Sequence, residues 1–102
     1  MYRHELRFVL RFGAQQQFQE LARRLHTEEV ARGWTPPRIW QPMSGLVNEI
    51  VIDHDYDSVE DFQRERGEFH AAPGDVGAVL AQLSDLVMAG TAAQLELDGL
   101  VL

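Results

Sequence analysis

Two stretches of this chain alternate strictly, and a period of two is the mark of a strand with two unlike faces. In residues 2–12, Tyr2, His4, Leu6, Phe8, Leu10 and Phe12 share one side, against Arg3, Glu5, Arg7, Val9 and Arg11. In residues 47–56, Asn48, Ile50, Ile52, His54 and Tyr56 face away from Val47, Glu49, Val51, Asp53 and Asp55. Between them the spacing turns helical. Ala14, Phe18, Leu21, Ala22 and Leu25 form one stripe over residues 14–32. Gly33 is a helix stop, and Thr35-Pro36-Pro37 cannot continue a helix.

Residues 38–43 read as a short strand, placed at an edge by Pro42, and Ser44-Gly45 as a turn. Beyond Tyr56, Ser58 with Asp61 opens a helix in the manner of a capping box. That helix carries Val59, Phe62 and Phe69 and breaks at Pro73-Gly74. Asp75 is expected to cap a second piece, striped by Val76, Val79, Leu80, Leu83, Leu86 and Val87 and closed by Gly90. Residues 91–102 read as a last strand, with Leu95 and Leu97 opposite in face to Glu96 and Asp98.

The order β-α-β-β-α(split)-β fills one domain, residues 1–102. Short connections and right-handed crossovers make it the split βαβ, ferredoxin-like arrangement. The predicted class is therefore α+β: a four-stranded antiparallel sheet of order 4-1-3-2 with the helices on one face. Charge gives a second check. Arg3, Arg7 and Arg11 would lie between the acids of strand three (Glu49, Asp53, Asp55) and those of strand four (Glu96, Asp98), and opposite charges across strands attract.

The face without helices also carries Val9, Val47 and Val51, with Trp40 joining from strand two. This mixture predicts packing on a second copy through a self-complementary interface. The expected dimer face is Arg7, Val9, Arg11, Trp40, Glu49 and Val51, where the arginine fork pairs with carboxylates.

Bulk numbers exclude several classes. Nine basic residues against sixteen acidic ones leave −7, which argues against a polyanion such as nucleic acid as partner. There is no Cys, hence no disulfide scaffold and no thiolate chemistry. No apolar run approaches the roughly 18 residues of a membrane span. No basic and then apolar leader follows Met1, so a soluble cytoplasmic protein is expected. All nine basic residues are arginine, which suggests a GC-rich bacterial source.

Residues 33–66 resemble the middle of NIPSNAP-like proteins of the dimeric α/β-barrel superfamily. The matching pieces are Gly33-Trp34 after the first helix, Trp40 in strand two, and Gly45 shortly before Asn48. Tyr56-Asp57-Ser58 then leads into a helix with Phe62 and Arg64-x-Arg66. The Ala71–Gly74 break is shorter than that pattern has. The resemblance implies a ferredoxin-like homodimer but no single activity, because the superfamily holds monooxygenases, dehydratases and haem-handling enzymes.

The run from Asp53 to Asp57 looks like a metal motif, but alternation sends His54 and Tyr56 to one side and the three aspartates to the other. No metal and no cofactor is called for. A pocket between sheet and helices, where superfamily enzymes place substrates, is expected from Trp40, Asn48, His54, Tyr56 and His70. His54 or His70 would serve there as acid or base. His4 is expected near Asn48, at the end of the sheet away from His54, and His26 is left without a role. No phosphate loop, nucleophile elbow or dinucleotide fingerprint occurs. The expected function is a homodimeric binding protein for a small apolar molecule. The alternative is a cofactor-independent monooxygenase-like enzyme for an aromatic or polyketide-like substrate.

Overall fold

A computed structural model describes residues 1–72 and 74–100. The elements are β1 (Tyr2–Val9), α1 (Gln15–Ala31), β2 (Arg38–Trp40), β3 (Glu49–Tyr56), α2 (Val59–Ala71), α3 (Asp75–Leu86) and β4 (Ala93–Asp98). The strands form one sheet of order β2-β3-β1-β4, with every pair antiparallel. This is the expected ferredoxin-like topology. Its core lies between sheet and helices: Phe8, Leu10 and Ile50 from the sheet side meet Ala14, Phe18 and Leu21 of the first helical segment and Val79 and Leu86 of α3.

Local chemistry sets the helix ends. α1 stops at Arg32, and Gly33 takes a left-handed φ of 72° that a side chain would resist. The amides of Gly33 and Trp34 return to the carbonyls of Val30 and Glu29, the pairing of a Schellman stop. At α2, the Ser58 hydroxyl accepts from the Asp61 amide at 3.2 Å, as the capping-box reading expects. At α3 the cap is Gly74, with φ 75°, and Asp75 is the first helical residue instead of the cap. Pro73 lies outside the described residues.

Several boundaries differ from the sequence reading. β1 ends at Val9, and Phe12 is 94 % exposed instead of in the core. Leu10 leaves the ladder to bridge Val87, and the Arg11 amide bonds the Leu86 carbonyl, so the chain turns towards α3. β2 is three residues long, and residues 41–43 are loop. Asn48 precedes β3 with a left-handed φ of 65°, which ends the alternation there.

β4 has its faces reversed from expectation. Leu97 pairs with Arg3 and Leu95 with Glu5, while Glu96 pairs with His4 and Asp98 with Tyr2. Directly paired residues point the same way, so Leu95 and Leu97 belong to the outer face and Glu96 and Asp98 to the helix side. The charge argument survives on the β3 side alone. Among the described residues, no helix is long and apolar enough to cross a membrane.

Candidate functional site

The five expected pocket residues do not converge. Trp40 ends β2 on the outer face, where its indole N–H donates to Asp53 at 2.9 Å. Asn48 sits at the far end of β3, and its side-chain oxygen accepts from Gln15 at 2.9 Å. His70 is exposed in the last turn of α2, its ring against that of Phe69. Only His54 and Tyr56 come together, with rings stacked 5.9 Å apart.

The antiparallel pairing brings in a residue expected elsewhere. His4 stands directly opposite His54, and Tyr2 opposite Tyr56. His4 therefore does not lie near Asn48, as the sequence leads one to expect: strand direction puts it beside His54, with ring centroids 6.5 Å apart. Phe62 of α2 closes over this quartet, 5.1 Å from both Tyr2 and His4 and 5.4 Å from Tyr56. Its own Ser58 cap fixes the helix start just after β3, which is why Phe62 lands there.

Two acids that the sequence reading passed over complete the surroundings. Glu29, buried near the end of α1, brings Oε2 to 3.6 Å from His54 Nε2. Glu65, buried one turn after Phe62, accepts from the amide of Thr35 and, at 2.8 Å, from its hydroxyl. Glu68 accepts from the Trp34 indole at 2.7 Å. Thus α2 clamps the chain that leaves α1, and Glu29 is held over the sheet. A signal for both acids exists: Glu29 continues the Phe18–Leu21–Leu25 stripe, and Glu65 lies at helical spacing between Phe62 and Phe69.

The electrostatics follow from this packing. Burial pushes the Tyr56 phenol up, with Glu65 and Glu29 adding to the effect. Burial holds His4 below the usual imidazole range, and the neighbouring His54 lowers it further, against a contact with Gln94. His54 Nδ1 is buried and has no hydrogen-bond partner among the described residues. Such an orphan costs roughly 1–3 kcal/mol. The cluster is thus an aromatic wall of Tyr2, Tyr56 and Phe62 with imidazole and carboxylate at one end. Its rings pack against one another, and His54 and Glu29 bring an imidazole and a carboxylate together beside them.

The outer face is a charge lattice. Arg3 grips Asp55 with two nitrogens, at 2.7 and 3.1 Å. Arg38 bridges Asp53 at 2.6 Å and Asp55 at 2.8 Å, and Arg7 pairs with Glu5 at 2.7 Å. Asp55 is drawn down to about 2 by Arg3 and Arg38. Val9, Val51, Trp40, Leu95 and Leu97 lie among these pairs. Arg11, also expected on the dimer face, donates its guanidinium to the Asp85 carbonyl at 2.9 Å, at the C-terminal end of α3.

A ferredoxin-like α+β chain with a histidine pair under its second helix is thus defined. No protein-family model matches its sequence, and no curated protein matches it. Solved structures share the fold across nearly the whole length. An uncharacterised NIPSNAP domain protein from Burkholderia xenovorans matches at TM-score 0.78 and 17 % identity, over 98 % of this chain and 95 % of that one. A NIPSNAP family protein of unknown function from Agrobacterium tumefaciens matches at 0.75 and 19 %, over 95 % and 86 %. A putative antibiotic biosynthesis monooxygenase from Nitrosomonas europaea matches at 0.74 and 15 %, over 99 % and 100 %. The fold is that of the NIPSNAP domain proteins and their monooxygenase-like neighbours.

Proposed function

We propose that this chain is a homodimeric, NIPSNAP-like binding protein for a small, largely apolar molecule, held where His54, Tyr56, His4 and Phe62 meet. The observation that carries the reading is the buried, unpartnered Nδ1 of His54 beside a buried Glu29. A polar atom in that state calls for a partner, and the aromatic wall selects a ring or a chain to bring it. Trp40, Asn48 and His70 drop out of this site because they lie apart from it.

Homodimerisation is part of the proposal. Leu95 and Leu97, once on the outer face, enlarge its apolar area beyond the sequence expectation, and the arginine–carboxylate pairs around them limit, without removing, the cost of taking those charges out of water. The test is retention of small molecules by the purified protein. A discrete ligand lost on His54→Ala supports the reading; equal retention by the variant overturns it.

A second reading is a cofactor-independent monooxygenase-like enzyme, favoured by the His54–Glu29 pair and by the likeness to a putative monooxygenase. His54 would take the hydroxyl proton of a quinol-type substrate while Glu29 steadies the imidazolium. Oxygen uptake with quinol-type and polyketide-type compounds tests it, and no uptake across that set removes it.

A further inference from the structure

A groove runs between α1 and the edge strand of the sheet. Ala22, Arg23, His26 and Thr27 line it from the helix, and Pro37 and Ile39 from the strand side, around about 430 Å³. That volume falls within the ~300–1,000 Å³ of small-molecule sites. Helical spacing explains one wall. Residues 22 and 26, and 23 and 27, are i, i+4 neighbours and so stand on one flank of α1. Strand pairing explains the other. Ile39 lies opposite Ile52, whose side chain packs on the core, so Ile39 also points to the helix side. The short Ala22 side chain leaves the space between them open, and Ile39 stays 43 % exposed.

The groove divides into an apolar floor and a cationic rim. Ala22, Pro37 and Ile39 form the floor. Thr27 commits its hydroxyl proton to the Arg23 carbonyl at 3.0 Å and leaves its methyl to the groove. Arg23 and His26 form the rim, and no carboxylate lines it. Most arginines here are already engaged: Arg3, Arg7, Arg32, Arg38 and Arg64 each hold a carboxylate. The side chains of Arg23 and His26 have no such partner among the described residues. In a chain of net charge −7, two donors without an acid beside an apolar floor stand out.

We propose that this groove binds a small carboxylic acid with an apolar body. The planar fork of Arg23 matches a carboxylate with two N–H groups, and a ring N–H of His26 adds a third donor. The body of the acid lies on Ala22, Pro37 and Ile39 and takes their surface out of water. Charge complementarity selects this occupant over others. A neutral apolar molecule leaves the Arg23 fork unused, and a bare anion leaves the floor wet. An added peptide strand is the poorer match, because β2 is three residues long and Pro37 and Pro42 beside it have no N–H to pair. His54, Tyr56, His4 and Phe62 do not line the groove, so the inference stands apart from the site under α2.

The experiment is an NMR titration of the full chain with three probes: hexanoate, hexanol and inorganic phosphate. Hexanoate carries both features, hexanol the apolar body alone and phosphate the charge alone. Hexanoate is expected to move the amides of residues 22–27 and the Ile39 methyl groups to saturation, with hexanol and phosphate weaker by about tenfold or more, the factor that one charged hydrogen bond carries. Arg23→Gln is expected to weaken hexanoate by about tenfold and to leave hexanol unchanged. Arg23 is exposed, and circular dichroism checks that the variant keeps the fold. Absence of a saturating shift with hexanoate overturns the inference, as does equal binding of hexanoate by the variant or of hexanol and hexanoate by the wild type. Shifts confined to His4, His54 and Tyr56 also overturn it, and assign the acid to the site under α2.

Discussion

Asp55 holds two arginines at once, Arg3 from β1 and Arg38 from β2, and so ties three strands across the outer face. Its carboxyl is drawn from 3.8 to about 2. A depressed folded value means stability that is present above the unfolded value and lost as pH falls through the folded one. Asp55→Asn is therefore expected to lower stability at neutral pH, with the difference from the wild type shrinking as pH falls towards 2 and vanishing below it, which urea unfolding at several pH values will read. The group is partly exposed, so the effect is a fraction of what a buried pair gives. His4 works in the opposite direction on the scale. Its folded value lies below 6.5, so the unfolded chain binds the proton more readily and stability falls as pH drops below about 6.5. His4→Phe should flatten that slope, and a proton NMR titration placing His4 at or above 6.5 would refute the burial argument. At this scale the sequence was only partly readable. Alternation put His54 and Tyr56 on the core side correctly. It could not say that Trp40 and Asn48 end their strands with other partners, because those partners, Asp53 and Gln15, come from pairing and loop geometry.

Among the elements, the join between α1 and α2 matters most for the site. Glu65 accepts both the amide and the hydroxyl of Thr35, and Glu68 takes the Trp34 indole. Glu65→Ala leaves the Thr35 groups without their partner and is expected to cost about 1–3 kcal/mol. Amide exchange should quicken in residues 32–35 and stay unchanged in β1. Ser58→Ala, which removes the cap of α2, is expected to cost about 1 kcal/mol. Helix and strand existence followed from periodicity throughout, and Gly33 and Ser58 set their boundaries by chemistry visible in the sequence. The reversal of β4 was not visible. Leu95 and Leu97 alternate with Glu96 and Asp98 whichever way the strand faces, and the reading assumed that the leucines go inward. The ladder to β1 puts them outward, opposite Glu5 and Arg3. β1 likewise ended three residues early because Leu10 and Arg11 bond to the end of α3, a contact between segments some 75 residues apart.

For the whole molecule, topology was the most legible property. Connection lengths and crossover handedness leave few arrangements, and the sheet order and all three antiparallel pairings follow. The same reasoning, carried through, would have placed His4 beside His54, since strand direction is fixed by the order of elements. The outer face, with Val9, Val51, Trp40, Leu95 and Leu97 among paired charges, is the surface on which the proposed assembly depends. Leu97→Glu there is expected to weaken dimerisation at least tenfold, about 1.4 kcal/mol, by sedimentation equilibrium. The central claim, a paired chain holding a small molecule at His54, meets its most direct test in native mass spectrometry of untagged protein taken from cells, wild type beside His54→Ala. The account predicts an assembly of paired chains carrying a discrete extra mass that the variant lacks. A bare single chain, or an extra mass the variant keeps, would contradict it.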